Sequence, residues 1–288
     1  MDRTLNILVT GSNGQLGRSV RKEAENSNDN YIYTDVAELD ITDPQAVKKF
    51  VTDNKIDIIV NCAAYTNVDA AEDNEALAEL INGDAPGILS DAIKERDGSL
   101  IHVSTDYVFG GACKNTPLTE DQPTSPTGAY GRTKLKGEKE IEKSGASAVI
   151  LRTAWLYSDY GNNFVEKILN LLKTRDSIKV VFDQCGTPTY ATDLAKAIVH
   201  MISERKVKGN EGIYHFSNEG VCSWYDFALA AVHLAGMKDK EVLPCHSSEF
   251  PSKVVRPSYS VLDKTKYKEV FDRKIPHWHQ SLATCLNK

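Results

Sequence analysis

The feature that most constrains this chain is a glycine triplet set directly behind a short apolar run. Leu5-Asn6-Ile7-Leu8-Val9 reads as a strand, and Gly11-Ser12-Asn13-Gly14-Gln15-Leu16-Gly17 follows it and opens a helical pattern. Glycine at Gly11, Gly14 and Gly17 permits a tight turn, a backbone that can approach a pyrophosphate, and close packing of helix on sheet. Free N–H groups at the helix start then face the phosphates. The spacing is G-x-x-G-x-x-G rather than G-x-G-x-x-G, and the physical need is the same.

The rest of the first half repeats this unit. Tyr31-Ile32-Tyr33, Ile56 to Val60, Ser99 to Val103 and Ala148 to Leu151 are short runs that do not alternate cleanly, as strands buried on both faces should not. Amphipathic stretches lie between them, such as Asp43 to Asn54, where Asp43 is placed to cap and Pro44 to start a helix. Strand–helix–strand repetition predicts an α/β, doubly wound parallel sheet. After Thr153 the rhythm changes. Helices are expected at Asn163 to Thr174 and Thr192 to Glu204, with strands at Ile178 to Phe182 and Gly212 to Phe216. The tail from Glu241 carries Pro244, Pro251 and Pro257 and reads as irregular structure around one last helix. The expected division is 1–153 for dinucleotide binding, with 188–220 returning to it, and a smaller, discontinuous C-terminal substrate lobe from 154–187 and 221–288.

Composition removes several classes of function. The net charge is −6 over 288 residues and no block of like charge appears, so a nucleic-acid partner is not expected. No segment is apolar for long enough to span a membrane, and no leader precedes the first strand. The six cysteines, Cys62, Cys113, Cys185, Cys222, Cys245 and Cys285, form neither a C-x-x-C pair nor a zinc-ligand spacing. They read as reduced thiols, and the chain as a cytoplasmic protein.

The chemistry-bearing residues gather at strand ends. Asp35 stands after the second run, where a carboxylate can accept hydrogen bonds from adenine-ribose hydroxyls and would repel a 2′-phosphate, which favours NAD over NADP. Asp40 and Ile41 follow, placed to set a carboxylate and an apolar side chain against the adenine. The fourth run ends in Ser104-Thr105-Asp106-Tyr107, and Tyr130-Gly131-Arg132-Thr133-Lys134 comes later in a helical segment. Tyr130 and Lys134 are i and i+4 and share one helix face. An ammonium beside a phenol stabilises the phenolate and brings its pKa towards the working range. With Thr105 to hold a carbonyl beside Tyr130, this is a proton-delivery site next to a hydride donor. Arg256, in a proline-containing loop, reads either as a bidentate diphosphate clamp or as a surface salt bridge. His277-Trp278-His279 is discounted as a metal site, because i and i+2 side chains do not converge.

These motifs resemble the extended short-chain dehydrogenase/reductases and, within them, the dTDP-4-dehydrorhamnose reductase family. The resemblance rests on the glycine loop and on Asn61-Cys62-Ala63-Ala64-Tyr65-Thr66-Asn67-Val68-Asp69-Ala70-Ala71-Glu72. It continues through STDYVFGG from Ser104, Tyr130 to Glu138, Arg152 to Tyr157, Asn162-Asn163-Phe164, Asp183 to Thr189 and Arg256-Pro257. It implies that the chain reduces the 4-keto group of a dTDP-activated 6-deoxy sugar to give dTDP-L-rhamnose, using NADH or NADPH. By the same resemblance Gly14, Gln15 and Leu16 line the pyrophosphate, Asp35, Asp40 and Ile41 the adenosine, and Ala64, Tyr65, Thr66 and Val103 the nicotinamide half. Tyr130 is then the proton donor, Lys134 holds the nicotinamide ribose, Thr105 and Asp106 contact the sugar, and Trp155 packs against it. Some members of the family are described as magnesium-bridged dimers. The corresponding positions here are Ser19 and Thr192, which offer no carboxylate, so no metal and a monomer are expected. The alternatives are an epimerase or dehydratase holding NAD tightly, and a non-catalytic dinucleotide-binding regulatory protein.

Overall fold

The computed structural model describes residues 3–111, 115–250 and 252–287; Cys113 and Pro251 lie outside them. Strand β1 (Asn6–Thr10) buries Ile7, Leu8 and Val9 completely, which a strand can do only inside a sheet covered on both faces. It pairs with β2 (Asn30–Tyr33) on one side and β3 (Ile58–Asn61) on the other; β4 (Ser99–Thr105) and β5 (Ser147–Thr153) follow, and a strand at Gly212–His215 forms the far edge. All of these pairings are parallel. The sheet order is Gly212–His215, β5, β4, β3, β1, β2, so the direction of winding reverses between β1 and β3. Such a reversal leaves a crevice at the carboxyl ends of the strands, where ligands bind in open α/β sheets.

The two covers differ in sequence origin. On one face, the helices Gln15–Glu23 and Ala191–Ser203 bring Leu16, Val20, Leu194, Ile198 and Met201 against Ile7 and Val9. On the other, the helices Pro44–Asp53, Ala85–Lys94 and Ala129–Ser144 supply Val47, Val51, Leu89, Ile93 and Ile141 against Leu8 and Ile59. The Asp43 carboxylate accepts the N–H groups of Gln45 and Ala46, with Pro44 inside the first turn, as the sequence predicts.

Beyond the strand ends a second set of elements packs around its own cores. The helices Phe164–Thr174, Trp224–Leu234 and Trp278–Leu286 enclose Tyr157, Val165, Phe227 and Leu282, and a neighbouring cluster holds Leu172, Val180, Val232 and Val242. Here the expectation for the tail needs correction. Glu241–Cys245 is a strand paired in parallel with Ser177–Val181, and two helices follow it, Thr265–Phe271 and Trp278–Leu286. Pro244 obscured the strand. It is tolerated because this two-stranded ladder leaves each strand an edge at which no N–H is required. The shorter helix exists because Tyr267 and Phe271, one turn apart, are both buried against the large sheet.

Candidate active site

The cleft begins at the glycine loop. Gly11 has φ +61°, and a Cβ there would meet the backbone of Ala63 at 2.6 Å, so the loops after β1 and β3 touch at the winding reversal. A Cβ on Gly17 would lie 2.4 Å from the carbonyl oxygen of Gly11, so this glycine seats the helix on the loop. Gly14 is the N-cap of the helix Gln15–Glu23, and no side chain caps it. Its first-turn N–H groups therefore remain available to an anion. Asp35 closes the loop from the side: its carboxylate accepts the N–H of Asn13 at 3.0 Å and of Val36 at 2.9 Å. Asp40 accepts from both the N–H and the hydroxyl of Thr42, which holds its carboxyl below the usual range. These residues fit a dinucleotide: a backbone cradle that a Cβ would fill, an uncapped helix start, and carboxylates beyond it.

A cleft of about 1590 Å³ runs from this loop past the ends of β3 and β4 to the second set of elements. Every site residue expected from the sequence lines it except Gly17 and Tyr65. Gly17 is behind the loop, for the reason just given. Tyr65 has its N–H and carbonyl bound to the buried side chain of Asn82, in the irregular helical turn Leu80–Asp84, and packs with Ala129. Ser19 is buried, and its hydroxyl donates to the carbonyl of Gln15.

The acid–base groups lie midway along the cleft. Tyr130 is in the first turn of Ala129–Ser144, edge-on to Tyr107 at 5.4 Å, with the Thr105 hydroxyl beside its phenol. Thr105 also accepts the Tyr107 N–H and donates to Asp106, which fixes its rotamer. Burial raises the Tyr130 pKa, and burial lowers that of Lys134 to about 8. The expected Tyr130–Lys134 coupling takes a different form from the one the helix spacing suggests. Lys134 is fully buried, and its Nζ donates to the carbonyl of Val103 at 2.6 Å and meets His102 Nε2 at 3.1 Å. The two side chains share a face and a cleft, yet the lysine is engaged below the phenol rather than with it. One turn further on, Glu138 accepts Ser104 at 2.5 Å and both arms of Arg152 at 2.9 and 2.7 Å, pinning the helix to β4 and β5. Asp106 is buried, and desolvation pushes its carboxyl up to about 6. Its Oδ2 makes no hydrogen bond among the described residues.

The far end of the cleft is aromatic. Trp155 has φ +49° and stacks on Trp224 at 3.6 Å between centroids, with planes 11° apart, and Phe164 packs on Trp224 at 4.5 Å. Trp224 packs against the cores of the second set of elements and also lines the cleft, while Phe227 packs on Trp278. Arg256 lines the cleft but faces Asp69 at 3.5 Å, so of its two readings the salt bridge is the one formed here. His277 caps its helix by accepting the His279 N–H, in keeping with a structural role. His102 and Asn61 escaped sequence reasoning as individual residues. Asn61 could have been found by the N-C-A-A stretch, and His102 only by noticing a polar side chain in a strand whose neighbours are apolar. Among the described residues there is no group of three or more His, Cys, Asp or Glu side chains arranged to hold a metal, and no helix long and apolar enough to cross a membrane.

Comparison with known proteins places this arrangement in a family. The model of the RmlD substrate binding domain matches residues 5–288. A dTDP-4-dehydrorhamnose reductase of Burkholderia thailandensis is 36% identical, with 98% of each chain covered. The crystal structure of a dTDP-4-dehydrorhamnose reductase from Clostridium acetobutylicum superposes with a TM-score of 0.93 at 43% identity, covering 98% of this chain and 99% of that one. The enzyme of the same name from Bacillus anthracis, solved in complex with NADP, gives 0.93 at 35% identity, covering 99% of both. The chain belongs to the dTDP-4-dehydrorhamnose reductase family, within the dinucleotide-binding α/β fold.

Proposed function

We propose that this protein reduces the 4-keto group of dTDP-4-dehydro-6-deoxy-L-mannose to dTDP-L-rhamnose, with NADH or NADPH as reductant. The observation that carries the reading is one cleft in which a dinucleotide cradle leads to Tyr130, with the Thr105 hydroxyl beside its phenol. When bound, the nicotinamide supplies the hydride. Gly11, Gly14, Gln15 and Leu16 hold the pyrophosphate, with Gly17 seating the helix behind them. Asp35, Asp40 and Ile41 take the adenosine end. Ala64, Thr66 and Val103 approach the nicotinamide, with Tyr65 holding their loop through Asn82.

Thr105 and Tyr130 receive the substrate carbonyl oxygen between them. As charge develops on that oxygen, Tyr130 gives it the phenolic proton while the Thr105 hydroxyl, turned from Asp106 to the substrate, stabilises it. Lys134, as an ammonium, positions the nicotinamide ribose and supplies the positive field in which the phenolate left by Tyr130 is tolerated. Asp106 turns its unpartnered Oδ2 to a sugar hydroxyl. The Trp155–Trp224 stack packs against the sugar and keeps water out. Arg256 reaches the diphosphate by exchanging Asp69 for it. The proposed division of labour is 1–153 with 188–220 for the dinucleotide and 154–187 with 221–288 for the substrate, the second part also lending Tyr267 and Phe271 to the core of the large sheet. The protein works in the cytoplasm as a monomer without a bridging metal: Ser19 commits its hydroxyl to a backbone carbonyl.

The test is to supply the purified protein with the dTDP-4-keto sugar, generated in situ, and to follow nicotinamide absorbance and product together. Oxidation of NADH or NADPH only when the keto sugar is present, with dTDP-rhamnose appearing, is the expected result. Conversion of a sugar nucleotide without net oxidation would replace this reading by an epimerase.

A further inference from the structure

Behind Lys134 lies a buried polar chain that the proposed mechanism does not use. Thr10, Asn61, His102 and Lys134 are each at most 1% exposed. The Asn61 Oδ1 accepts the Ala63 N–H at 3.2 Å and the Thr10 hydroxyl at 2.8 Å. An amide N–H can only donate, so Ala63 fixes which end of Asn61 is oxygen. The Asn61 Nδ2 then faces His102 Nδ1 at 3.0 Å. An NH₂ group also only donates, so Nδ1 must be the acceptor and the neutral ring must carry its proton on Nε2. That proton points at Lys134 Nζ, 3.1 Å away. An ammonium there would set donor against donor, whereas an amine accepts the Nε2–H and still donates to Val103. The chain Ala63 → Asn61 → His102 → Lys134 → Val103 closes in one direction only when Lys134 is neutral.

We propose that His102 is a positioning residue whose tautomer, set by Asn61, presents an N–H to Lys134 and favours its amine form, so that this lysine exchanges its proton close to neutral pH. The proposal rests on the role given to Lys134 above. Burial acts in the same direction, and holds the His102 ring far below its ordinary value, hence uncharged. The surroundings do not reverse it. Glu138, on the same helix, is the charged group that supports the ammonium, but its carboxylate is taken up by Arg152 from β5 and Ser104 from β4. The other titratable groups along this part of the cleft are Tyr130 on the same helix, Asp106 and Tyr107 after β4 and Cys62 after β3; burial pushes all four towards their neutral forms. For turnover this means that the ammonium form of Lys134 on which the proposed mechanism relies is held only weakly. It also means that activity is lost as pH rises through the lysine's lowered pKa.

Two measurements decide the matter. In the full-length, cofactor-free protein labelled with nitrogen-15, the ring nitrogens of His102 at about pH 9, above the lowered lysine value, should show a neutral ring protonated on Nε2. A ring protonated on Nδ1, or on both nitrogens, overturns the proposal whether or not the enzyme reduces the sugar. The second uses Asn61→Asp. The new carboxylate keeps the Ala63 and Thr10 bonds but accepts from Nδ1–H, which turns Nε2 into an acceptor for an ammonium. The alkaline limb of kcat/KM should then move up by about one pH unit, so that one unit above the native limb the variant keeps ~5-fold more of its plateau rate. A folded variant with an unmoved limb overturns the proposal. If the variant does not fold, the ring measurement on the native protein still decides.

Discussion

At the end proposed for the dinucleotide the cleft is a surface of backbone, and at the end proposed for the sugar a surface of side chains. Gly11 meets Ala63 main chain to main chain, the helix start at Gly14 offers bare N–H groups, and even Asp35 is spent on bonding the N–H groups of Asn13 and Val36. The other end is Trp155 on Trp224, Phe164, Arg256 against Asp69, and an unpartnered oxygen of Asp106. The first end centres on one continuous loop, Gly11 to Gly17, against which Ala63 and Asp35 close; the second has no such continuous segment and is assembled side chain by side chain from several. Substitutions should therefore fail differently at the two ends, with the acid–base group between them as the reference point.

That group should show the largest effect. Tyr130→Phe removes the proposed proton donor and leaves the ring packed on Tyr107. Turnover should fall by ~10²–10⁴-fold, the usual worth of a positioned acid, with dinucleotide affinity unchanged by titration calorimetry. Unchanged turnover would remove Tyr130 from the mechanism and leave both ends without a centre.

Next in size is the backbone end. Gly11→Ala puts a Cβ 2.6 Å from the Ala63 main chain, at a φ of +61° that costs a non-glycine residue about 1–3 kcal/mol before the clash is counted. Neither β1 nor β3 can retreat, since both are inside the sheet. We expect dinucleotide affinity to weaken at least ~10-fold and the melting temperature to drop. Full affinity in this variant would show that the close approach does not shape the cradle.

The same contrast explains what was legible in the sequence. Short-range rules found β1 to β5, the Asp43 and Pro44 helix start and the glycine loop, because each depends on residues within a few positions of one another. Tyr130 and Lys134 were legible as an i, i+4 pair, but not the fact that Lys134 bonds downward to His102 and Val103. That required knowing that β4 runs beneath the helix. Arg256 was legible as a cation near the cleft, but its partner Asp69 is 187 residues away and no periodicity connects them. The strand Glu241–Cys245 was hidden because Pro244 signals a break, whereas at the edge of a two-stranded ladder it costs nothing.

Asp106 gives a smaller effect with a definite sign. Burial raises its folded pKa to about 6, above the unfolded value near 3.9, so the folded chain holds that proton more tightly. The stability this contributes is fully present below the unfolded value and is lost as pH rises through about 6. Asp106→Asn removes the buried charge that remains above that pH. The variant should therefore be more stable than the native chain near pH 8, by at most about 3 kcal/mol, and show no such gain near pH 4. Substrate affinity should fall at the same time, a trade expected of a group kept for function. Urea unfolding at the two pH values is the measurement, and an equal difference at both would mean that the carboxyl is not desolvated in the fold.

The smallest effect belongs to the aromatic wall, and it tests the comparison most directly. Trp224→Leu removes the stack on Trp155 but leaves an apolar group at the start of its helix. Ser223 caps that helix with Asp226 independently of the indole, so the helix itself should persist. An aromatic pair contributes about 0.5–1.5 kcal/mol beyond its buried area, and part of that supports Trp155 in its left-handed conformation. The expected result is a rise in KM for the sugar nucleotide of roughly 2- to 10-fold, with dinucleotide affinity and kcat close to native. Since the wall is assembled from side chains, the loss should stay local, unlike the loss at Gly11. A matching fall in dinucleotide affinity would show that the two ends are mechanically joined through Trp155 and Thr153, at the end of β5, and the division between backbone and side-chain surfaces would then describe appearance rather than function.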